Sequence, residues 1–182
     1  MYKITNFLTL TIVVLFFSVS SNAQIVKLPK ALLFGNFTYA NPQGDFANYV
    51  NNGTGFEVGG GLGLGKTLLY ASTGYMNYNN NSSGYEKDLK VIPIKFGIRR
   101  YLLLGLFING AVGLANQSYQ KSTIGPGSGV YVNTNENPLL YEIGAGVKLL
   151  GIVELGAAYT GYNHNGMNTN QILLKAGVAI KL

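Results

Sequence analysis

The sequence contains no cysteine, no tryptophan, a single histidine and few charged residues. The lack of cysteine excludes a disulfide framework and is compatible with passage through an oxidising compartment. Charged residues make up only 11% of the chain, whereas ordinary soluble domains carry about 25%. The surface of this protein is therefore not expected to resemble the hydrated surface of an ordinary soluble domain.

Long hydrophobic runs are missing after the N-terminal region. Beyond residue 23, charges or glycines interrupt every apolar window, so no helix of the ~20 residues needed to cross a bilayer is expected. The 13 basic residues outnumber the 7 acids, but they are scattered singly. Nucleic acid is not a predicted partner, because no basic helix or aromatic-basic strip is present. Exposed bases are instead candidates for contact with anionic lipid head groups.

The first 23 residues have the pattern of a secretory signal peptide. One charge, Lys3, precedes an apolar core at 7–19, and Ser21 and Ala23 occupy the −3 and −1 positions of a cleavage site before Gln24. The alternative, a retained membrane helix, needs about 20 apolar residues, more than this core contains. We predict a cleaved signal peptide at 1–23, a short N-terminal segment at 24–30 and one domain at 31–182.

The domain is predicted to consist of strands. Apolar residues recur with period two, and glycine recurs inside the segments, which disfavours helix. The predicted strands are 31–40, 54–64, 67–78, 88–99, 105–116, 139–149, 152–162 and 170–181. The short connections between them are Gly65-Lys66, Tyr101–Leu104 and Leu150-Gly151. The long connections, rich in Asn, Gly, Ser and Pro, are Asn41–Gly53, Asn79–Lys87, Gln117–Pro138 and Asn163–Thr169.

Strands of about 9–11 residues with tight turns at one end and long loops at the other are typical of outer-membrane β-barrels. Bulky apolar residues such as Ile143 and Val147 alternate with Glu142 and Lys148 in the sixth segment. The interior of an eight-stranded barrel is too narrow for bulky side chains from every strand. Charge and glycine are thus expected inside and bulky apolar residues outside; the faces of strands one and three are left unassigned. The predicted fold is an all-β, eight-stranded antiparallel up-and-down transmembrane β-barrel.

Several charged residues fall on predicted inward positions. Unpaired charges in a low-dielectric interior cost several kcal/mol, so a paired network is expected. We interpret this network as a salt-bridge plug that fills the lumen; the alternative is a charged pore or gate. The predicted members are Glu57, Lys95, Arg99, Glu142, Lys148, Glu154 and Lys175.

Tyrosines cluster near the predicted strand ends, where aromatic girdles meet the membrane interfaces of a barrel. The girdle candidates are Tyr39, Tyr49, Tyr75, Tyr78, Tyr85, Tyr101, Tyr119, Tyr131, Tyr141, Tyr159 and Tyr162.

Signals of catalysis are weak. Residues 60–67, Gly-Gly-Leu-Gly-Leu-Gly-Lys-Thr, match the phosphate-binding pattern G-x-x-x-x-G-K-[ST]. That loop needs a following helix, whereas a strand pattern follows here, so a hairpin turn is predicted. Nothing in the sequence places His164 near the loop acids Asp45, Glu86, Asp88 and Glu136. We predict no catalytic, cofactor-binding or metal-binding residue and no enzyme; the alternative is a loop-based hydrolase.

Three stretches resemble a known family. Pro42-x-Gly44-x-Phe46-Ala47 followed by Gly53-x-Gly55-Phe56, the strand 91–99 (Val-Ile-Pro-Ile-Lys-Phe-Gly-Ile-Arg) and the strand 141–147 (Tyr-Glu-Ile-Gly-Ala-Gly-Val) resemble small outer-membrane β-barrel proteins of the Bacteroidetes type. The architecture is similar to OmpA/OmpX-like barrels, and PorT-like proteins are a related group. One departure is the terminal Leu182, where such barrels typically end in an aromatic residue.

The resemblance implies a place in the outer membrane of a Gram-negative cell envelope, with segment 24–30 in the periplasm. The expected partners are outer-membrane lipid and lipopolysaccharide, the barrel-assembly machinery during insertion, and a surface ligand of the loops. The protein is expected to be a monomer with no cofactor. Its expected role is structural or surface interaction; the alternative is a narrow pore or a PorT-like accessory of transport or secretion.

Overall fold

The computed structural model of the chain describes residues 29–48, 50–80, 86–122, 131–164 and 167–182. The predicted signal peptide 1–23 and most of segment 24–30 lie outside this range and stay predictions. Within these residues, no helix is long and apolar enough to span a membrane. The elements are β1 Pro29–Gln43, a 3₁₀ helix Gly44–Asn48, β2 Val50–Leu64, β3 Thr67–Asn80, β4 Glu86–Tyr101, β5 Leu106–Ser122, β6 Tyr131–Glu136, β7 Leu139–Leu149, β8 Val153–His164 and β9 Met167–Lys181.

The strands form a closed antiparallel barrel. Apart from β6 and β7, strands that are neighbours in sequence pair with each other. β1 pairs with β9 from Leu32↔Lys181 to Gln43↔Asn170, which closes the sheet. Both β6 and β7 pair with β5, so they occupy one position in the barrel and are separated only by Asn137 and Pro138. The predicted eight-stranded up-and-down barrel is confirmed.

The three short connections lie together at one end of the barrel, the turn end. In two of them, residues with positive φ form a two-residue turn, a geometry whose twist matches that of hairpin strands. Leu104 (φ 56°) precedes Gly105 (φ 78°), and Leu150 (φ 49°) precedes Gly151 (φ 76°). The second connection therefore includes Gly105 and begins after Tyr101, one residue later than predicted.

At the opposite end, the loop end, the strands extend further than the sequence predicts. Asn41–Gly53 is mostly strand and 3₁₀ helix, and Asn79–Lys87 and Asn163–Thr169 also lose residues to strands. The largest correction concerns Gln117–Pro138, because β5 continues to Ser122 and pairs with β6 from Gln117↔Glu136 to Ser122↔Tyr131. These extensions consist mostly of polar residues, so the apolar alternation that marks a strand is weak there. Residues 123–130 lie outside the described range.

Side chains alternate between the two faces of the wall. The outward face carries a belt of exposed apolar residues, including Phe96, Val112 and Ile143. Five charged residues are buried inside the barrel: Glu57, Lys95, Arg99, Glu142 and Glu154. The interior differs from the prediction in one respect, because it also contains large apolar side chains. They form a turn-end cluster, Leu32, Phe34, Leu68, Tyr70, Tyr101, Phe107, Ala111 and Ala179. A loop-end cluster includes Phe46, Met76, Tyr78, Leu89, Val91, Tyr119, Leu140, Tyr162 and Leu173.

These clusters also settle the faces of β1 and β3, which both contribute large inward side chains. They correct the girdle prediction as well: Tyr78, Tyr101, Tyr119 and Tyr162 are inside the barrel, whereas Tyr39, Tyr141 and Tyr159 are exposed. Strand-end position alone does not indicate on which face a tyrosine lies. The side chains of Tyr49, Tyr85 and Tyr131 lie outside the described part.

The β5–β6 pairing can be tested with cysteines, because the chain has none of its own. Ser118 and Asn135 are Cα partners and both are exposed. Directly paired strand residues meet the ~4.4–6.8 Å Cα separation of a disulfide. Ser118→Cys/Asn135→Cys is expected to oxidise quantitatively in thiol titration, and the out-of-register pair Ser118→Cys/Asn133→Cys to oxidise poorly. Equal oxidation of both pairs would show a disordered loop.

Candidate functional site

The centre of the barrel contains a closed ring of four charged side chains, the ion ring. Lys95 on β4 binds Glu57 Oε1 on β2 (2.8 Å) and Glu142 Oε2 on β7 (2.7 Å). Lys175 on β9 binds Glu57 Oε2 (2.8 Å) and Glu142 Oε1 (2.6 Å). Each lysine thus bridges both carboxylates, and the ring joins four strands across the lumen with no net charge.

The ion ring satisfies the electrostatic requirements of a buried site. All four carboxylate oxygens accept a bond from a lysine, and Asn109 Nδ2 adds a longer one to Glu142 Oε1 at 3.4 Å. Buried ion pairs gain little net stability over apolar packing, but removal of one partner typically costs about 3–5 kcal/mol. The ring therefore makes the four residues depend on one another.

A second ionic cluster lies between the ion ring and the turn end. Arg99 Nη1 donates to Glu154 Oε2 at 2.9 Å, and Tyr101 Oη donates to Glu154 Oε1 at 2.9 Å. The guanidinium lies between the rings of Phe34 and Phe107, with its Cζ 4.8 and 4.6 Å from their centroids. These distances are within the range of cation–π attraction.

Two glycines make room for the aromatic rings around Arg99. A Cβ at Gly59 would collide with the Phe34 ring, and a Cβ at Gly146 would collide with the Phe107 ring. Glycine in these strands therefore has a packing role that the sequence pattern alone did not reveal. The small residues define the space, and the large aromatic side chains of other strands fill it.

Six of the seven predicted lumen residues lie in these two clusters, and Lys148 does not. Its Cα pairs with that of Glu154, but Arg99 and Tyr101 bind the Glu154 carboxylate. Lys148 is half-buried near the turn end, where the barrel opens to solvent. Period-two alternation assigns the correct face but gives no depth along the barrel axis.

The loop end is closed by a residue that the sequence analysis did not single out as functional. Phe46, from the 3₁₀ helix after β1, is only 2% exposed and packs edge-on against Tyr78 and Tyr162, at centroid distances of 5.7 and 6.1 Å. Tyr78 Oη also donates to Gln171 Oε1 at 2.6 Å. Gly44, with φ of 59°, turns the chain into this helix. The available signal was an isolated phenylalanine in a polar loop.

Little space remains in the lumen. The cavity beside the two ionic clusters has a volume of about 20 Å³, room for about one water molecule. Arg99, Phe107 and Glu154 are among the residues that line this cavity, and Phe46 packs against Tyr162 on its loop-end side. The described side chains therefore fill the barrel rather than line an aqueous channel.

The weak catalytic signals are not brought together. Residues 60–64 belong to β2, Gly65 and Lys66 form a turn, and Thr67 begins β3 opposite Leu64, so the phosphate-loop match is a hairpin as predicted. Among the described residues, no group of three His, Cys, Asp or Glu side chains could hold a metal ion. The side chains of His164, Glu86 and Asp88 lie outside the described part; Asp45 is exposed and Glu136 binds Tyr119 Oη at 2.9 Å.

The fold is similar to that of solved eight-stranded barrels. The attachment invasion locus protein Ail of Yersinia pestis aligns with a TM-score of 0.63 at 14% identity, over 83% of this chain and 98% of Ail. The N-terminal barrel domain of OprF from Pseudomonas aeruginosa aligns at 0.58 and 13% identity, over 82% and 97%. Neisserial surface protein A aligns at 0.52 and 13%, over 84% and 97%.

No protein-family model matches the chain, and no curated protein matches it. The structural likeness, at these low identities, establishes the fold: a closed eight-stranded β-barrel of the kind found in small outer-membrane proteins. The resemblance to the Bacteroidetes type remains a prediction.

The ion ring predicts a strong charge dependence of stability. Glu142→Gln leaves excess positive charge in the lumen and is expected to lower the free energy of unfolding by about 3–5 kcal/mol. The double variant Glu142→Gln/Lys175→Met restores neutrality and is expected to lose less than Glu142→Gln alone. Urea unfolding in lipid vesicles, followed by far-UV circular dichroism, measures both.

The matched control for the ring is Asp45→Asn, which removes an exposed acid and is expected to change stability by less than about 0.5 kcal/mol. A large gain in bilayer conductance by Glu142→Gln without loss of stability would contradict the plug and identify the ring as a gate.

The aromatic closure of the loop end gives a second prediction. Phe46→Ala is expected to lower the free energy of unfolding by about 3–5 kcal/mol, because it leaves a cavity between Tyr78 and Tyr162. It should also expose residues 44–49 to proteolysis in an otherwise intact barrel. Asp45→Ala removes an exposed side chain from the same 3₁₀ helix and serves as the control; equal cleavage of both variants would contradict the closure.

Proposed function

We propose that this protein is an integral outer-membrane β-barrel whose filled lumen makes it a rigid support, with its function carried by the loop end. The observation that carries this proposal is the inverted polarity of the wall. Phe96, Val112 and Ile143 are 64–65% exposed on the outside, while the ion ring is buried inside.

A hydrocarbon environment explains this polarity. Burial of apolar surface is worth about 25 cal/mol per Å², and a belt around the whole barrel would forfeit that stabilisation in water. The backbone agrees, because a closed barrel satisfies its strand hydrogen bonds internally and has no free edge in lipid. Export by the predicted signal peptide 1–23 and insertion by the barrel-assembly machinery complete the proposal, with the mature protein a monomer among outer-membrane lipid and lipopolysaccharide.

The loop end is proposed to face the cell surface and the turn end the periplasm, as in other outer-membrane barrels. The loop end carries the surface interaction. Its connections are rich in asparagine and serine. Its acids, Asp45, Glu86, Asp88 and Glu136, outnumber its bases, Lys87, Lys90 and Lys121. A partner is therefore recognised by hydrogen bonds to amides and hydroxyls rather than by a basic surface.

The comparison with Ail sharpens this point. Ail has been solved in complex with the heparin analogue sucrose octasulfate, and that structure aligns with a TM-score of 0.62 at 14% identity, over 84% of this chain and 99% of Ail. The acidic balance of the present loop end does not favour a polysulfated ligand there.

The narrow pore, the PorT-like accessory role and the loop-based hydrolase remain weaker alternatives, since the lumen is filled and no acid–base pair is assembled among the described residues.

The proposal predicts a heat-modifiable protein of the membrane fraction. Cell envelopes extracted with sarkosyl should retain the mature protein in the insoluble fraction, and its gel mobility should change on boiling. Planar bilayers containing the folded protein should show no sustained conductance. A soluble periplasmic protein without a heat shift would overturn the proposal, and sustained conductance would favour the pore.

Matched substitutions test the lipid contact itself. Phe96→Arg places a charge in the middle of the apolar belt and is expected to cost about 2–4 kcal/mol in vesicles, whereas Asn77→Arg, exposed on the loop-end part of β3, should cost less than about 1 kcal/mol. Equal small costs for both variants would indicate a water-exposed belt.

A further inference from the structure

Charge is distributed unequally along the barrel axis. The central level is balanced, with three acids and three bases in the ion ring and the Arg99 cluster. Among the described residues, the turn end contains five further bases, and its nearest acidic side chain, Glu154, is bound by Arg99 and Tyr101. The five bases are Lys30, Lys66, Arg100, Lys148 and Lys181.

The register places these bases around the rim. Lys66 lies in the β2–β3 turn, and its carbonyl accepts the backbone N–H of Tyr101, next to the exposed Arg100. On the inward side, Lys181 lies 3.6 Å above the Tyr101 ring. Lys66 and Arg100 thus form the outer edge of the basic rim, just below the apolar belt.

Exposed leucines lie in the other two turns of this end. Leu103 is 72% exposed, and Leu104 and Leu150 are each 93% exposed at the tips of the two turns with positive φ. Glycine or asparagine adopts this backbone conformation with less strain than leucine. The two tips are adjacent, because the N–H of Lys148 donates to the Gly105 carbonyl at 2.9 Å. An apolar residue at a strained, exposed tip gains stability when the tip is covered by an apolar phase.

We propose that the turn end binds anionic phospholipid head groups, with Lys66 and Arg100 contacting the phosphates and Leu103, Leu104 and Leu150 entering the boundary between head groups and acyl chains. Basic side chains combined with apolar residues are the usual composition of a surface that binds an anionic membrane interface. The inference rests on the proposed membrane location, with the turn end at the periplasmic leaflet.

The first experiment measures lipid selectivity. The refolded full chain is placed in vesicles of phosphatidylcholine alone or with 30% phosphatidylglycerol, extracted gently, and its retained lipid is quantified by mass spectrometry. Wild type is expected to retain phosphatidylglycerol above its bulk fraction. Lys66→Gln/Arg100→Gln should lower the lipid selectivity, which is the retained phosphatidylglycerol-to-phosphatidylcholine ratio divided by the bulk ratio, by about fivefold per removed charge. Lys87→Gln/Lys90→Gln removes the same charge at the loop end and should leave the enrichment unchanged.

The outcomes separate the proposals. A heat-shifted band in pure phosphatidylcholine without any preference for phosphatidylglycerol would overturn the lipid site and leave the membrane barrel standing. Absence of the heat-shifted band in every vesicle would overturn both the lipid site and the membrane barrel. Equal loss of phosphatidylglycerol selectivity in the two double variants would also overturn the lipid site. Binding of purified peptidoglycan that is lost in Lys66→Gln/Arg100→Gln would overturn it as well, because the basic rim would then bind a glycan.

The leucine tips provide an independent readout, because the chain has no tryptophan. Leu103→Trp is expected to be quenched by phosphatidylcholine with brominated acyl chains. Asn133→Trp, exposed on β6 at the loop end, should not be quenched. Unquenched fluorescence from Leu103→Trp would show that the tips remain in water and would contradict the proposed insertion.

Discussion

The fold depends on salt bridges between buried charged side chains in the lumen of a barrel whose outer surface is apolar. Glu57, Lys95, Glu142 and Lys175 come from four different strands, yet each charge has two partners of opposite sign. Since an uncompensated buried charge costs several kcal/mol, the ring is stable only when β2, β4, β7 and β9 are all in register. The ion ring can therefore form only in the closed barrel, and loss of the ring is expected to destabilise the closed barrel.

The remaining lumen is filled by a complementary use of small and large residues. Gly59 and Gly146 leave space that Phe34 and Phe107 occupy, and these rings in turn enclose the Arg99 guanidinium. Phe46 completes the packing at the loop end. With ionic contacts at the centre and aromatic layers on both sides, no continuous water-filled path crosses the described residues. This packing is the basis for the proposed role of the barrel as a rigid support.

Much of this architecture could be predicted from period-two alternation and hairpin spacing, because both depend only on neighbouring residues. The hairpin at Gly65-Lys66 and the inward position of Glu57 are examples. Contacts between distant segments could not be predicted: the insertion of Phe46, the rings around Arg99 and the separation of Lys148 from the carboxylates depend on depth along the axis. The β6 strand was missed for another reason, since its polar residues, Asn133 to Glu136, carry no apolar alternation.

Because the lumen is filled, the proposed interactions with a surface ligand and with lipid head groups lie at the two ends of the barrel. These ends differ chemically. The loop end is amide-rich and slightly acidic, whereas the turn end combines several bases with exposed leucines. In the proposed orientation, one end meets a phospholipid leaflet and the other end meets the cell surface, so each end has a different environment. A lumen plug with no role at its ends would not require this unequal distribution of charge between the loop end and the turn end.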